Sequence, residues 1–235
     1  MITNSKKGFT LLELLIVIAI IAILSVVLIV ALNPAETLRK TRDSQRISDL
    51  SSLKTALGIY VTTITDPLLD NTSGNTLCVG GSGDDSIWIS VPTATDGETL
   101  TGAPAGTPPT GFVFVQTASN AAASGISGSG WVPVNLAGVT GGSPISNMPL
   151  DPINDLSITT GGTTASTAGA VTNSAQMYRY SCAVTNVVFE LNARLESTAF
   201  GVGGTDDKAA KDGGNNANLF EVGTSLTILP NTNDF

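Results

Sequence analysis

The sequence predicts an α+β protein in which one long N-terminal helix precedes a sheet of short antiparallel strands. Three observations predict this fold class: an almost uncharged apolar run over residues 9–32, an amphipathic helical pattern over residues 33–65, and short apolar stretches bounded by turn residues nearer the C-terminus. Of the 235 residues, about 170 follow the long helix, which is enough for one modest hydrophobic core.

The apolar run is long enough to cross a membrane as a helix. At ~1.5 Å per residue it reaches roughly 36 Å, against a hydrocarbon core of about 30 Å. Glu13 is the only ionisable side chain in this run. A carboxylate costs about 2.5–3.5 kcal/mol at the centre of a bilayer and less towards its edge. Glu13 therefore needs a compensating partner.

The polar leader, residues 1–8, indicates where this partner comes from. Its two lysines hold the leader in the cytoplasm by the positive-inside rule, so the chain after the run is expected outside. The run is longer than the apolar core of an ordinary secretory signal, and the residues after it make a poor A-x-A-like cleavage site. Cleavage between Gly8 and Phe9 would instead create an α-amine on Phe9. That amine would lie about one helical turn from Glu13, or would pair with the Glu13 of a neighbouring chain.

Residues 7–13, Lys-Gly-Phe-Thr-Leu-Leu-Glu, followed by an apolar helix, resemble the N-terminus of type IV pilins and of the pseudopilins of type II secretion. The resemblance implies a prepilin peptidase that cuts after Gly8 and methylates the amine of Phe9. It also implies that Glu13 pairs with this amine of an adjacent subunit while a filament assembles. The alternative interpretation is a plain signal anchor.

The second helical segment, residues 33–65, carries an apolar stripe that another part of the chain must cover. Asn33-Pro34 interrupts the helix after the apolar run, and Asp66-Pro67 ends it. Apolar residues recur between them at three- and four-residue spacing: Leu38, Ile47, Leu50, Leu53, Leu57, Tyr60 or Val61, and Ile64. In pilins the C-terminal sheet covers this half of the helix, so the resemblance implies a pilin-like packing of helix on sheet.

The same segment carries a basic group that has three interpretations. Its members are Arg39, Lys40, Arg42 and Arg46. They form a collar on anionic lipid just outside the membrane, or they pair with acidic patches of the next subunit, or they form a solvated helix face.

Residues 66–235 form the predicted globular head, in which long Gly/Ser/Thr loops connect short strands. The strand candidates are residues 87–91, 112–115, 131–134, 176–181, 186–191, 219–222 and 225–229. The first three of these are either short strands or loop anchors. Two prolines make residues 148–155 a rigid turn, similar to the turn that leads into the sheet of pseudopilins. A long Gly/Thr insert, residues 159–173, departs from the form of that family.

The two cysteines, Cys78 and Cys182, both fall in the part of the chain expected outside the cytoplasm. Disulfides persist in that compartment, so the even count favours one bridge over two buried thiols. A bridge that closes a loop of about 100 residues stabilises a protein by ~4–5 kcal/mol in the chain-entropy model.

No cofactor is expected, although one loop has calcium-like chemistry. Asp206, Asp207 and Asp212 make this loop rich in oxygen ligands, and the resemblance adds that major pseudopilins bind calcium near this part of their fold. No EF-hand spacing is present, so a solvated turn is the expectation and Ca²⁺ the alternative, with these three aspartates as candidate ligands.

An enzyme is not expected, because the chain has no histidine and no nucleophile, phosphate-loop or zinc motif. The net charge is −8, and seven of the eleven basic residues lie at or before Lys54. The remaining body is therefore acidic, which argues against nucleic-acid binding by the single subunit.

These observations predict a structural subunit of a type IV pilus-like filament. It is expected first as a single-pass protein of the cytoplasmic membrane with its N-terminus inside, and then in an extracellular or periplasmic filament. The expected partners are membrane lipid, prepilin peptidase, the pilus assembly machinery, and identical or related subunits. The alternatives are a pseudopilin of a type II secretion or DNA-uptake system, and a membrane-anchored surface binding domain that does not polymerise.

Overall fold

In the computed structural model the chain forms two compact units, Met1–Arg39 and Lys40–Phe235. The structure describes residues 8–91, 94–95, 98–99, 111–117, 120–154 and 175–231. Helix α1 (Leu11–Leu32) lies in the first unit, and helix α2 (Pro34–Thr63) begins there and continues in the second. The leader up to residue 7 and the predicted insert at residues 159–173 lie outside the described residues.

The two helices are separated by a single residue, at the position where the sequence predicted an interruption. Asn33 is in the left-handed region with φ of 40°, which asparagine tolerates better than most residues. Pro34 is the first residue of α2, where its missing N–H has no helical partner to lose. The Asn33 carbonyl accepts the first bonds of the new helix, from Glu36 N at 3.1 Å and Thr37 N at 3.2 Å.

The second unit contains a five-stranded sheet in the order β4-β1-β5-β6-β7 and a two-stranded sheet of β2 and β3. The strands are β1 (Asp85–Ile89), β2 (Ala94–Thr95), β3 (Glu98–Thr99), β4 (Phe112–Val115), β5 (Tyr178–Ala183), β6 (Val188–Ala193) and β7 (Phe220–Gly223). A one-turn helix, α3 (Asn120–Ala123), follows β4.

The prediction of an antiparallel sheet holds for β1–β5, β5–β6 and β6–β7, but β1 and β4 are parallel. The sheet is therefore mixed. The connection between these two strands, residues 90–111, is longer than the roughly one dozen residues that a parallel crossover needs. Whether two strands are parallel depends on which end of the sheet the connection between them reaches. Local sequence patterns do not contain this information.

Two of the strand candidates are loops. Residues 131–134 are buried without pairing as a strand, and the Trp131 indole donates to the Pro149 carbonyl at 2.8 Å, so this stretch is a loop anchor. In residues 225–229 the amides of Ile228 and Leu229 donate to the Glu190 carboxylate instead of to a neighbouring strand. The Glu190 carboxylate thus accepts the hydrogen bonds that the carbonyls of a neighbouring strand would accept in a sheet.

The hydrophobic core lies between α2 and one face of the sheet, as the apolar stripe predicted. Leu50, Leu53, Leu57 and Tyr60 of α2 are buried in one cluster with four side chains of β5 and β6, which are Tyr178, Tyr180, Phe189 and Leu191. Because side chains alternate along a strand, the residues between them point to the other face of the sheet. Those residues are Arg179, Ser181, Glu190 and Asn192, and all four are buried as well.

Cys78 and Cys182 form the disulfide that the sequence favoured, which joins the loop after α2 to β5. Both cysteines are fully buried in the core. Backbone bonds flank the bridge, from Val79 N to the Cys182 carbonyl at 2.8 Å and from Val184 N to the Val79 carbonyl at 3.1 Å. The bridge therefore attaches a long loop to the centre of the sheet.

Replacing both cysteines with alanine should lower the free energy of unfolding substantially. The bridge spans 104 residues, for which the chain-entropy model gives about 4–5 kcal/mol. Denaturant unfolding of the full chain in detergent, followed by the fluorescence of the two buried tryptophans, measures the difference. Equal midpoints for the variant and the unreduced wild type would contradict this expectation.

Candidate processing and assembly site

The junction between Gly8 and Phe9 lies at the open start of α1. Phe9 is 83% exposed, and a Cβ placed on Gly8 would meet no heavy atom within 4 Å. Gly8 does not have the positive φ that would require a glycine. The described fold therefore does not itself require a glycine at this position.

Thr10 and Glu13 form a capping box that starts the helix. The Thr10 hydroxyl accepts from Glu13 N at 3.2 Å, while Glu13 Oε2 accepts from Thr10 N at 2.9 Å and from the Thr10 hydroxyl at 3.0 Å. This reciprocal arrangement satisfies amides that would otherwise be unpaired at a helix start. The carboxylate is thus held beside the backbone next to Phe9.

Helix α1 presents an uncovered apolar surface on all sides. The large apolar side chains from Leu11 to Ile29 are 46–81% exposed in this structure. By length and composition this span could cross a membrane. Its only polar side chains are Glu13 and Ser25, and Ser25 donates to the Ile21 carbonyl of its own helix at 2.8 Å. Apolar surface of this extent requires lipid or protein to cover it.

A buried ion cluster in the second unit joins α2 to the head. Arg46 makes a two-pronged contact with Asp151, at 2.6 Å (Nε–Oδ2) and 2.9 Å (Nη2–Oδ1), and its Nη1 contacts Asp43 at 2.9 Å and Glu196 at 2.8 Å. Arg42 binds both oxygens of Glu196, at 2.6 and 2.7 Å. Arg42 and Arg46 thus pair with acidic residues of their own chain. None of the three interpretations of the basic group predicted this pairing.

Hydrogen bonds and charge set the ionisation of this cluster. Burial alone would lower the pKa of Arg46, but its bonds and charge interactions with Asp151 and Glu196 raise it above the ordinary value. Burial would raise the pKa of Glu196, but the bonds from Arg42 and Arg46 hold it below the ordinary value. Arg46 and Glu196 are therefore both charged at neutral pH.

The sequence contained a signal for this cluster. Arg46 precedes Leu50, Leu53 and Leu57 at helical spacing, so it falls on the buried stripe of α2. A buried guanidinium requires carboxylate partners. The two distant partners, Asp151 in the rigid turn and Glu196 after β6, became identifiable only in the folded chain.

The three candidate calcium ligands serve separate purposes in the structure. Asp206 pairs with Lys208 and Lys211 at 2.5 and 2.7 Å, and these hydrogen bonds lower its pKa to about 2. Asp207 accepts from the amides of Gly203 and Ala210, and Asp212 accepts from those of Gly214 and Glu221. Within the described part of the chain, no group of three or more acidic or cysteine side chains is arranged to hold a metal ion.

Residues 3–29 match the protein family described as the prokaryotic N-terminal methylation motif, which is the prepilin motif of type IV pilins and pseudopilins. The match covers the Gly8–Phe9 junction, Glu13 and most of α1. No curated protein and no solved structure gives a significant match to the chain.

Replacing Arg46 with methionine should destabilise the head by about 3–5 kcal/mol, because buried carboxylates then lose their counter-charge. Arg39→Met is the matched control: Arg39 lies on the same helix, is half exposed and contacts Glu36 only at 3.9 Å, so a change within about 0.5 kcal/mol is expected. Urea unfolding of both variants in detergent measures the two effects. Similar losses of unfolding free energy in the two variants would show that the cluster is not what stabilises α2 against the rest of the head.

The cluster also predicts a direction for acid destabilisation. The pKa of Glu196 in the folded state lies below its ordinary value of 4.5, so its contribution is present above that pH and is lost as the pH falls through the lower folded value. Glu196→Gln should therefore flatten the stability profile below pH 4.5. A profile that stays as steep as that of the wild type would contradict this.

Proposed function

We propose that this chain is a structural subunit of a type IV pilus-like filament, cut after Gly8 by a prepilin peptidase and assembled through α1. One observation carries the proposal: an open Gly8–Phe9 junction, a capped Glu13 and an uncovered apolar helix coincide within the matched methylation motif. Proteins with this motif are structural rather than enzymatic. The proposed role therefore needs no catalytic group in the head.

Two environments would cover α1 in succession. In the membrane, lipid surrounds its exposed apolar residues, with the lysines of the leader on the cytoplasmic side. In a filament, the corresponding helices of neighbouring subunits would replace lipid. Contacts that repeat head-to-tail without closing a ring produce an open helical fibre.

Glu13 would select the neighbouring subunit. Both of its bonds to Thr10 use Oε2, which leaves Oε1 for an amine on another chain. Cleavage supplies such an amine on Phe9. An unpaired carboxylate or amine raises the free energy of a helix bundle from which water is excluded. The docked arrangement in which the Glu13 carboxylate pairs with the Phe9 amine of the neighbouring chain is therefore favoured.

The second unit would be carried into the filament by α2. Its buried stripe and the cluster around Arg46 attach this helix to the sheet through apolar contacts and charge-assisted hydrogen bonds. A force applied along α2 would thus be transmitted to the head without detaching it.

Processing is tested by the mass of the N-terminus. We expect the mature chain to begin at Phe9 with a methylated amine, and Gly8→Leu to keep the leader. Gly58→Leu is a matched control, because a Cβ at Gly58 also meets no atom within 4 Å and this position is far from the junction. An intact Met1 on assembled or surface-exposed wild-type protein would refute the processing step.

Assembly is tested with two Glu13 variants that separate charge from helix capping. Glu13→Gln can keep the capping box, whereas Glu13→Val loses it, and both remove the carboxylate. We expect both to insert into the membrane and both to lose filaments, because the Phe9 amine is stranded at a cost of about 3–5 kcal/mol. The measurement is the ratio of filamentous to membrane-bound protein at equal expression.

The pattern of the two variants is decisive. Normal filaments from Glu13→Gln but not from Glu13→Val would mean that assembly needs the cap rather than the charge. Electron microscopy of sheared surface material also separates the proposed pilus from a short periplasmic pseudopilus, because only the pilus yields long filaments that contain this chain.

A further inference from the structure

Two buried glutamates meet on the face of the sheet opposite α2. Glu190 on β6 is 0% exposed and Glu221 on β7 is 1% exposed. In the strand register Glu221 lies across from Asn192, and Glu190 lies across from Gly223, so the two glutamates are diagonal neighbours on one face. Their carboxyl groups lie within hydrogen-bonding reach of each other.

Each glutamate uses one oxygen to hold a loop. Glu190 Oε2 accepts from Ile228 N at 2.7 Å and from Leu229 N at 3.0 Å, in the C-terminal segment 224–231. Glu221 Oε2 accepts from Asn216 N at 3.0 Å. The remaining oxygen of each, Oε1, meets no hydrogen-bond donor of the described chain.

One described cation, Arg179 on β5, lies on the same face as the pair. Residues 213–218 and 224–231 contain no titratable side chain, and the Asp212 carboxylate adds negative charge near Glu221. Arg179 lies across from Asn192 and is thus a diagonal neighbour of Glu190, but the charges that shift its own pKa are those of Asp151 and Arg194, and the main causes of the pKa shifts of the two glutamates do not include it. Two carboxylates in contact inside a protein do not both remain ionised without a counter-charge.

We propose that Glu190 and Glu221 share one proton, and that this proton makes the pair a pH-sensitive latch for the C-terminal segment 224–231. Glu190 carries the proton on Oε1 and donates it to Oε1 of Glu221, which satisfies both orphan oxygens. Its Oε2 then accepts the two amides of the segment. Ionisation of the pair would place two negative charges side by side in the interior and would expel one of them, with the segment that covers it.

The raised pKa of Glu190 sets the direction in which stability changes with pH. Burial and then the bond with Glu221 raise the pKa of Glu190 to about 9, from an ordinary value of 4.5. A group whose folded pKa is raised contributes its full stability below the unfolded pKa and loses it as the pH rises towards the folded value. The latch is thus closed at acidic and neutral pH and opens above about pH 9.

Glu190→Gln tests the latch without removing its bonds. The amide oxygen of glutamine accepts the same two N–H groups, and its NH₂ donates to Glu221, but nothing titrates between them. For the full chain in detergent, the folding constant of the wild type should fall by up to tenfold per unit between pH 6 and 9 through this one proton. Protection of the 224–231 amides from hydrogen exchange should fall in parallel, and both trends should be absent from Glu190→Gln.

Two further variants keep the test decisive if that one folds poorly. Glu221→Gln should also flatten the profile, because its amide can donate to an ionised Glu190. The double variant puts two NH₂ groups face to face and should lose protection at every pH, although it is uncharged. Asp84→Asn, which removes an exposed carboxyl of the same head, should keep the wild-type profile.

Two results would overturn the proposal. One is a wild-type folding constant that does not change between pH 6 and 9, or that falls no more steeply than the folding constants of both single variants. The other is a loss of stability on adding a chelator at pH 7 that calcium restores in the wild type but not in Glu190→Gln, since a cation rather than a proton would then join the carboxylates.

Discussion

The uncovered apolar surface of α1 is the constraint on which the rest of this protein depends. A helix whose large side chains are all about half or more exposed from Leu11 to Ile29 is stable only where lipid or other protein replaces water. Wherever water is excluded, the polar groups of such a helix need partners. The capping box of Thr10 and Glu13 and the bond from Ser25 to Ile21 supply some of these partners within one chain.

The second unit complements this by completing its own core without α1. Helix α2 turns its apolar stripe to the sheet, and the disulfide and the Arg46 cluster add long-range links between distant segments. A head of this kind would keep its core if the surroundings of α1 changed. This independence is what a subunit needs if it exists first in a membrane and then in a filament.

The head buries charge in two different ways. Around Arg46, two arginines face three carboxylates, and all six carboxylate oxygens accept a hydrogen bond from an arginine or a backbone amide. On the opposite face of the sheet, Glu190 and Glu221 meet without such a partner. In the first case neutralisation comes from a side chain. In the second, a proton from solvent is the simplest counter-charge, so that side of the head is expected to lose stability as the pH rises, whereas the Arg46 cluster loses it as the pH falls.

The sequence by itself determined the features that are local in the chain. The methylation motif, the span of α1, the break at Asn33 and the stripe on α2 all follow from short-range periodicity or motif, and five strand candidates lie at or near the observed strands. Tertiary structure alone decided the parallel pairing of β4 with β1, the loop at residues 225–229, and the partners of Arg46 and Glu190. These depend on which distant segments meet, because hydrogen bonds and ion pairs across 38 or 105 residues leave no periodic trace in either segment.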